Sequence, residues 1–255
     1  MIKTSAVNAA GVRFIVAPAH ISDKSAVMET QISPGLYLVG TPIGNLEDMT
    51  YRAVRVLQQV DHILAEDTRK TGILLQHFGI RKPMHSCHGF NEASRVARVV
   101  ADLEAGKAVA LVSDAGMPLI SDPGARLVCA VREAGLPLTA VPGPTALTTA
   151  LALSGWGESG FVFAGFPPNK SGGRRRLLER FLEEPLPVIF YESTHRIEKL
   201  LADLAELHGE RPVFFARELT KKFETLQQGT AEALLAFLET HSKKGEFVVI
   251  LGPKS

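Results

Sequence analysis

Cysteine, tryptophan and net charge are all scarce in this 255-residue chain, and long apolar runs are missing. Its two cysteines, Cys87 and Cys129, form no Cys-x-x-Cys spacing, so neither a disulfide framework nor a thiolate zinc site is expected. No metal site is expected from the remaining residues. No apolar stretch approaches the roughly 18 residues needed to cross a bilayer. Phe14–Ala17, behind Arg13, is too short for a signal-peptide core, so a cytoplasmic protein without membrane contact is expected. A formal net charge of +1 excludes a general polyanion binder and leaves any nucleic-acid contact to a local patch. What is present is ordinary for a globular protein: 45% hydrophobic and 22% charged residues, enough for one large domain or two modest ones.

Residues 1–34 carry weak periodicity and no helix caps, and read as a loosely held extension, with Met28 as a second plausible start. From Gly35 onward apolar strands alternate with helical stripes. Strands are expected at Leu36–Val39, His62–Ala65, Ala108–Val112 and Leu138–Val141. Helices are expected around Ala53–Val60, Arg69–Phe78, Val96–Leu103 and Ala125–Glu133, with an alanine- and leucine-rich helix after Thr145. This alternation predicts a parallel, doubly wound sheet with both faces covered. Gly155-Trp156-Gly157 interrupts the rhythm, which sets expected domains at 35–156 and 157–255. The second half reads as a mixed sheet: strands at Phe161–Ala164, Val188–Tyr191, Val213–Ala216, Glu224–Gln228 and Phe247–Leu251, helices at 174–182, 195–207 and 230–240.

Ligands of open α/β sheets bind beyond the carboxyl ends of the strands, where strand order reverses. Three loops in such positions combine Gly with Pro: Gly40-Thr41-Pro42-Ile43-Gly44-Asn45, Ser113 to Gly124, and Pro142-Gly143-Pro144-Thr145. Glu66 and Asp67 lie where the ribose-binding acid of a dinucleotide site would sit. The first loop is Gly-x-x-x-Gly, however, not Gly-x-Gly-x-x-Gly, and Pro42 removes an amide that a pyrophosphate would use.

These loops, with Ala65-Glu66-Asp67-Thr68-Arg69, Phe190-Tyr191-Glu192-Ser193, Ala216-Arg217-Glu218-Leu219-Thr220-Lys221 and Lys244-Gly245-Glu246-Phe247, resemble the tetrapyrrole (corrin/porphyrin) methylase family. The blocks run in order from about Gly35 to Gly252, and the resemblance is to a branch that acts on ribosomal RNA. It implies a two-domain α/β protein, usually a homodimer, with S-adenosylmethionine in the cleft between the domains. It implies methyl transfer to the ribose 2′-hydroxyl of a cytidine in the decoding region of 16S rRNA. It assigns the cofactor to Leu38, Asp114, Met117, Thr145, Ala146 and Phe166, with Pro42 and Ser121 on the same loops. Asp114 has a second reading as a loop cap bonded to its own backbone.

A ribose hydroxyl is a poor nucleophile and needs a proton acceptor. Glu66, Asp67, His88, Asn91 and Glu92 are the candidates. The family's His-x-His-Asn-Glu segment is matched in part only, with Phe90 in place of its second histidine, so His88 is the surviving one. Asn91 reads equally well as a helix N-cap. Phosphate contacts are expected from Arg174, Arg175 and Arg176, a cationic run at a helix start, where the macrodipole disfavours it. A solvated basic turn is the plain alternative. Arg69, Arg217 and Lys221 are further RNA candidates, although Arg69 and Arg217 also read as structural ion-pair residues. Two rivals stand beside the rRNA reading: a methylase of the same fold acting on a corrin, a porphyrin or a protein side chain, and a non-catalytic ribosome-binding homologue.

Overall fold

Leu36 and Leu38 face one layer of β1 (Gly35–Val39) while Tyr37 and Val39 face the other, and both layers are apolar, as a strand covered on both sides requires. The computed structural model describes residues 31–89 and 91–254. Most of the extension expected over 1–34, with Met28, lies outside the described residues, as does Phe90.

The chain divides into two compact units. Of the described residues, one contains those up to Thr41 together with those from Glu47 to Gly143; the other contains Pro42–Leu46 and those from Pro144 onward. In the first, β1 leads through a 3-10 turn (Leu46–Asp48) to α1 (Tyr51–Gln59) and β2 (His62–Ala65). Then come α2 (Thr68–His77), β3 (Met84–Ser86), α3 (Glu92–Glu104), β4 (Ala108–Val112), α4 (Ala125–Glu133) and β5 (Leu138–Val141). The sheet is entirely parallel, in the order β3-β2-β4-β1-β5. Ala53, Val56 and Leu57 of α1 and Leu75 of α2 cover one face; Val99, Leu103, Leu127 and Val131 of α3 and α4 cover the other. The doubly wound expectation holds. β3 carries no apolar run, because it is the half-buried edge strand.

The second unit holds α5 (Ala146–Ser154), β6 (Val162–Gly165), α6 (Ser171–Glu179), β7 (Val188–Ser193), α7 (Ile197–His208), β8 (Val213–Arg217), β9 (Thr225–Gly229), α8 (Ala231–Thr240) and β10 (Glu246–Leu251). Its sheet is mixed as expected, in the order β6-β7-β10-β8-β9, and only β6 and β7 pair in parallel. Helices α6 to α8 cover one face. On the other, Leu147, Ala150 and Leu151 of α5 pack with Ile43 against Ile189, Phe214, Val248 and Ile250.

That packing moves the division between units to Gly143/Pro144, ahead of the expected 156/157. The Gly155-Trp156-Gly157 break ends a helix and divides nothing. Gly155 is the left-handed C-cap of α5, and Trp156 packs edge-on against Phe214. Among the described residues no helix is long and apolar enough to cross a membrane.

Candidate functional site

After β1 the chain runs toward β2 on one side; after β4 it crosses β1 to reach β5 on the other. The carboxyl ends of adjacent β1 and β4 are therefore the switch point of the first sheet. The loops that leave them are stitched together. Thr41 and Gly116 exchange backbone hydrogen bonds of 2.9 and 3.0 Å, and the Gly40 amide donates to the Val141 carbonyl at 3.0 Å. A Cβ on Gly40 would stand 2.7 Å from both the Gly143 nitrogen and the Met117 sulfur; one on Gly143 would stand 2.9 Å from Gly40. Only glycines allow this approach, so the sequence Gly at 40 and at 143 is a packing requirement of the loop pair.

Carboxylates gather at the same edge. Glu66 and Asp67 follow β2, and Asp114 and Asp122 belong to the loop after β4. Asp114 ties two loops together: one oxygen accepts from the Asp67 amide at 3.0 Å, the other from the Lys70 ammonium at 2.7 Å. The alternative of a cap on its own backbone is replaced by a cap on a neighbouring loop. The Asp114 amide points to a Glu66 carboxylate oxygen at 3.4 Å. Burial pushes the Asp122 carboxyl up to about 6, helped by the charges of Glu66 and Asp114 and offset in part by a hydrogen bond from Ser113. Leu119 and Ser121, in the same loop, hold φ of 72° and 67°, conformations that L residues rarely adopt. Sequence reasoning passed over Asp122; its signal was the Asp-Pro-Gly that ends this loop.

Asp67 is no proton acceptor. It caps α2 through the Arg69 amide and grips the Arg69 guanidinium at 2.7 and 3.1 Å. Those bonds hold its carboxyl far below the usual carboxylate range. Asn91 stands at the N-cap position of α3 without capping it. Its side chain instead accepts from the His88 amide at 2.8 Å and donates to Ser86, shaping the turn that carries His88. Glu92 is buried and accepts from the Leu127 amide at 3.1 Å. It supplies α4 with the side-chain cap that its own N-cap, Gly124, lacks. Of the expected acceptors, Glu66 and His88 remain at the sheet edge. Leu38 lies in β1, and Met117 and Ser121 in the loop after β4.

The second unit brings Thr145, Ala146 and Phe166 to one end of its sheet. Thr145 caps α5 by accepting from Thr148, and Ala146 opens the helix. Phe166 is 55% exposed, edge-on to Tyr191 at 5.5 Å. Pro42 belongs to this unit too.

The basic run is largely internal. Arg174 is buried, 2.6 Å from Asp203; Arg175 pairs bidentately with Glu206 at 2.6 and 2.7 Å and reaches Asp203 at 3.2 Å. The acids of α7 thus offset the unfavourable helix end, and no polyanion is needed to explain these two arginines. Arg176 is exposed, with Lys170 and Arg180 exposed beside it. Arg217 is buried and donates to the carbonyls of Lys244 and Phe223 and to Thr225, all within 2.8 Å, so it is a structural residue of the β8–β9 turn. Lys221 bonds Glu218 and Glu246 at 2.8 and 2.9 Å. Arg69 projects into solvent with 89% of its side chain exposed while holding Asp67.

Residues 35–235 match the family model of Tetrapyrrole (Corrin/Porphyrin) Methylases. A ribosomal RNA small subunit methyltransferase I of Escherichia coli O157:H7 is 49% identical over 219 residues, covering 85% of this chain and 77% of that protein. The protein of the same name from Thermotoga maritima is 45% identical, with 86% and 98% covered. Among solved structures, uroporphyrin-III-C-methyltransferase from Thermus thermophilus has a TM-score of 0.59 at 22% identity, over 85% of this chain and 94% of that one. The methyltransferase CobJ has a TM-score of 0.64 at 19% identity, over 87% and 95%. These two share the fold.

Proposed function

This chain belongs to the tetrapyrrole (corrin/porphyrin) methylase family, and we propose that it transfers a methyl group from S-adenosylmethionine to the ribose 2′-hydroxyl of a cytidine in the decoding region of 16S rRNA, on the small ribosomal subunit. The observation that carries this reading is the near-half identity, across both units, with relatives named for small-subunit rRNA methylation. The residues present suit the cofactor. In the first unit the Gly40–Gly143 contact holds the switch-point loops closely together, and Asp114 keeps lone pairs for hydroxyl or amino groups. The first turn of α5 offers backbone dipoles to a carboxylate, and Phe166 offers a ring to cover a base.

S-adenosylmethionine, when bound, supplies a sulfonium methyl as the electrophile. The chain's part is to hold a ribose oxygen in line with that methyl and to take its proton. In this reading Asp122 takes the proton, because a carboxyl with a pKa of about 6 is matched to work near neutral pH. Glu66 keeps it there, and His88 orients the hydroxyl. In the second unit Arg176, Lys170 and Arg180 make phosphate contacts, and in the first unit Arg69 is the exposed cation available for one. The same reading carries a homodimer working in the cytoplasm.

The test is transfer of tritiated methyl from S-adenosylmethionine to small subunits from cells lacking the gene, followed by nuclease digestion. Label on a ribose of assembled subunits is the expected result. No transfer, with S-adenosylhomocysteine binding intact, would turn the reading to a tetrapyrrole or protein substrate. No binding would leave a ribosome-binding homologue without catalysis.

A further inference from the structure

Tyr191 touches two of the segments assigned to the cofactor with one side chain. Its hydroxyl accepts from the Leu147 amide at 3.2 Å, in the first turn of α5, directly after Thr145 and Ala146. Its ring carries Phe166 edge-on at 5.5 Å and 61°, and Phe163 at 5.0 Å and 69°. The β7 core has no use for that hydroxyl: Ile189, two residues back on the same face, is fully buried among apolar neighbours. Phenylalanine would fill the same apolar position, and the hydroxyl adds the bond to α5. Orphan amides of a helix start need a partner, and Thr145 supplies one to Thr148 but none to Leu147.

Phe166 reaches the ring through an irregularity. The β6–β7 register shifts between Phe163 and Gly165, and Gly165 takes φ of 67°. Regular pleating would alternate positions 163 and 166 between faces; the bulge turns both toward Tyr191. The next residue is held from the opposite face of β7. Glu192, wholly buried, lies 3.1 Å from Arg196 Nε, and the Arg196 guanidinium donates to the Pro167 carbonyl.

We propose that Tyr191 is a positioning residue that sets the first turn of α5 and the Phe166 ring together for the cofactor. This rests on the reading that Thr145, Ala146 and Phe166 hold S-adenosylmethionine. The hydroxyl fixes the helix start and the ring fixes the phenylalanine, so the two limbs are separable by mutation.

The experiment measures S-adenosylhomocysteine affinity by calorimetry and ligand-free melting temperature for full-length Tyr191→Phe, Tyr191→Leu, Phe166→Ala, Thr145→Ala and the two double variants that join a Tyr191 change to Phe166→Ala. Tyr191→Phe is expected to weaken binding by about two- to tenfold, the worth of one hydrogen bond, with KM for S-adenosylmethionine raised and kcat retained. Tyr191→Leu is expected to weaken it further, and that extra loss should vanish in the Phe166→Ala background, where the ring no longer has Phe166 to carry. A Tyr191→Phe protein that melts lower yet binds at wild-type affinity would reduce Tyr191 to a structural residue and overturn the proposal. So would an extra Tyr191→Leu loss that persists without Phe166. Wild-type binding by both Phe166→Ala and Thr145→Ala would remove the cofactor reading itself, and the proposal with it.

Discussion

Asp67 and Asp122 end loops at the same sheet edge, and their surroundings drive them in opposite directions. Arg69 holds the first ionised at any physiological pH, while burial among other acids pushes the second up to about 6. A carboxyl raised above its unfolded value favours folding fully only below that unfolded value, and the contribution is lost as pH rises through the folded one. Asp122 therefore costs stability from about pH 4 to about pH 6 and above. Asp122→Asn is expected to melt higher than wild type at pH 7.5, by on the order of 1 kcal/mol after allowance for solvent screening, and to converge with it near pH 4. The same variant should lose methyl transfer, along with the activity limb near pH 6. Thermal melts and a pH–rate profile measure both. His62 has the opposite sign. Burial lowers its pKa despite Asp102 at 3.8 Å, so its contribution falls away as pH drops through the ordinary histidine value.

Among the elements, α4 shows how a helix start can depend on another helix. Gly124 gives it no side-chain cap, and Glu92 of α3 does so from 35 residues earlier in the chain. Glu92→Ala is expected to cost about 1–2 kcal/mol and to raise hydrogen exchange at the start of α4, since a buried amide loses its acceptor. Urea melts and exchange at Leu127 check it. Such pairings explain which parts of the molecule were legible in advance. The buried strands β1, β2, β4, β7, β8 and β10 announce themselves as short apolar runs, because burial on both faces leaves no polar alternation. β3, Met84-His85-Ser86, is an edge strand and has no such run. α5 was visible as a helix, but the face it covers belongs to strands 40 to 100 residues downstream, so its unit was not. The switch-point loops were legible from Gly and Pro; the Asp114–Lys70 and Arg174–Asp203 pairings exist only once the fold brings distant residues together.

The molecule as a whole is close to neutral, so an RNA surface has to be made by a few exposed cations. The basic run divides into two sets with different expected fates. Arg174→Ala should lower stability by about 1–3 kcal/mol, since the buried Asp203 carboxylate loses its 2.6 Å partner and is left to Arg175 at 3.2 Å, and chemical denaturation would register it. Arg176→Glu with Lys170→Glu should leave melting and S-adenosylhomocysteine affinity unchanged while lowering methylation of small subunits at least several-fold. If methylation survives that double reversal, RNA approaches elsewhere. The order of strands also has a consequence for how the protein is made. β1 lies between β4 and β5, the second of which leaves the ribosome about a hundred residues later, so at typical elongation rates the strand waits about 5–20 s for its last neighbour. β10, the last strand, is the middle of the second sheet, between β7 and β8. Until it emerges, both carry open edges of the kind that invite aggregation. A nascent chain halted before Glu246 thus holds the second sheet only as two separate strand pairs, β6–β7 and β8–β9, which are joined in one late step by the strand that fills the centre.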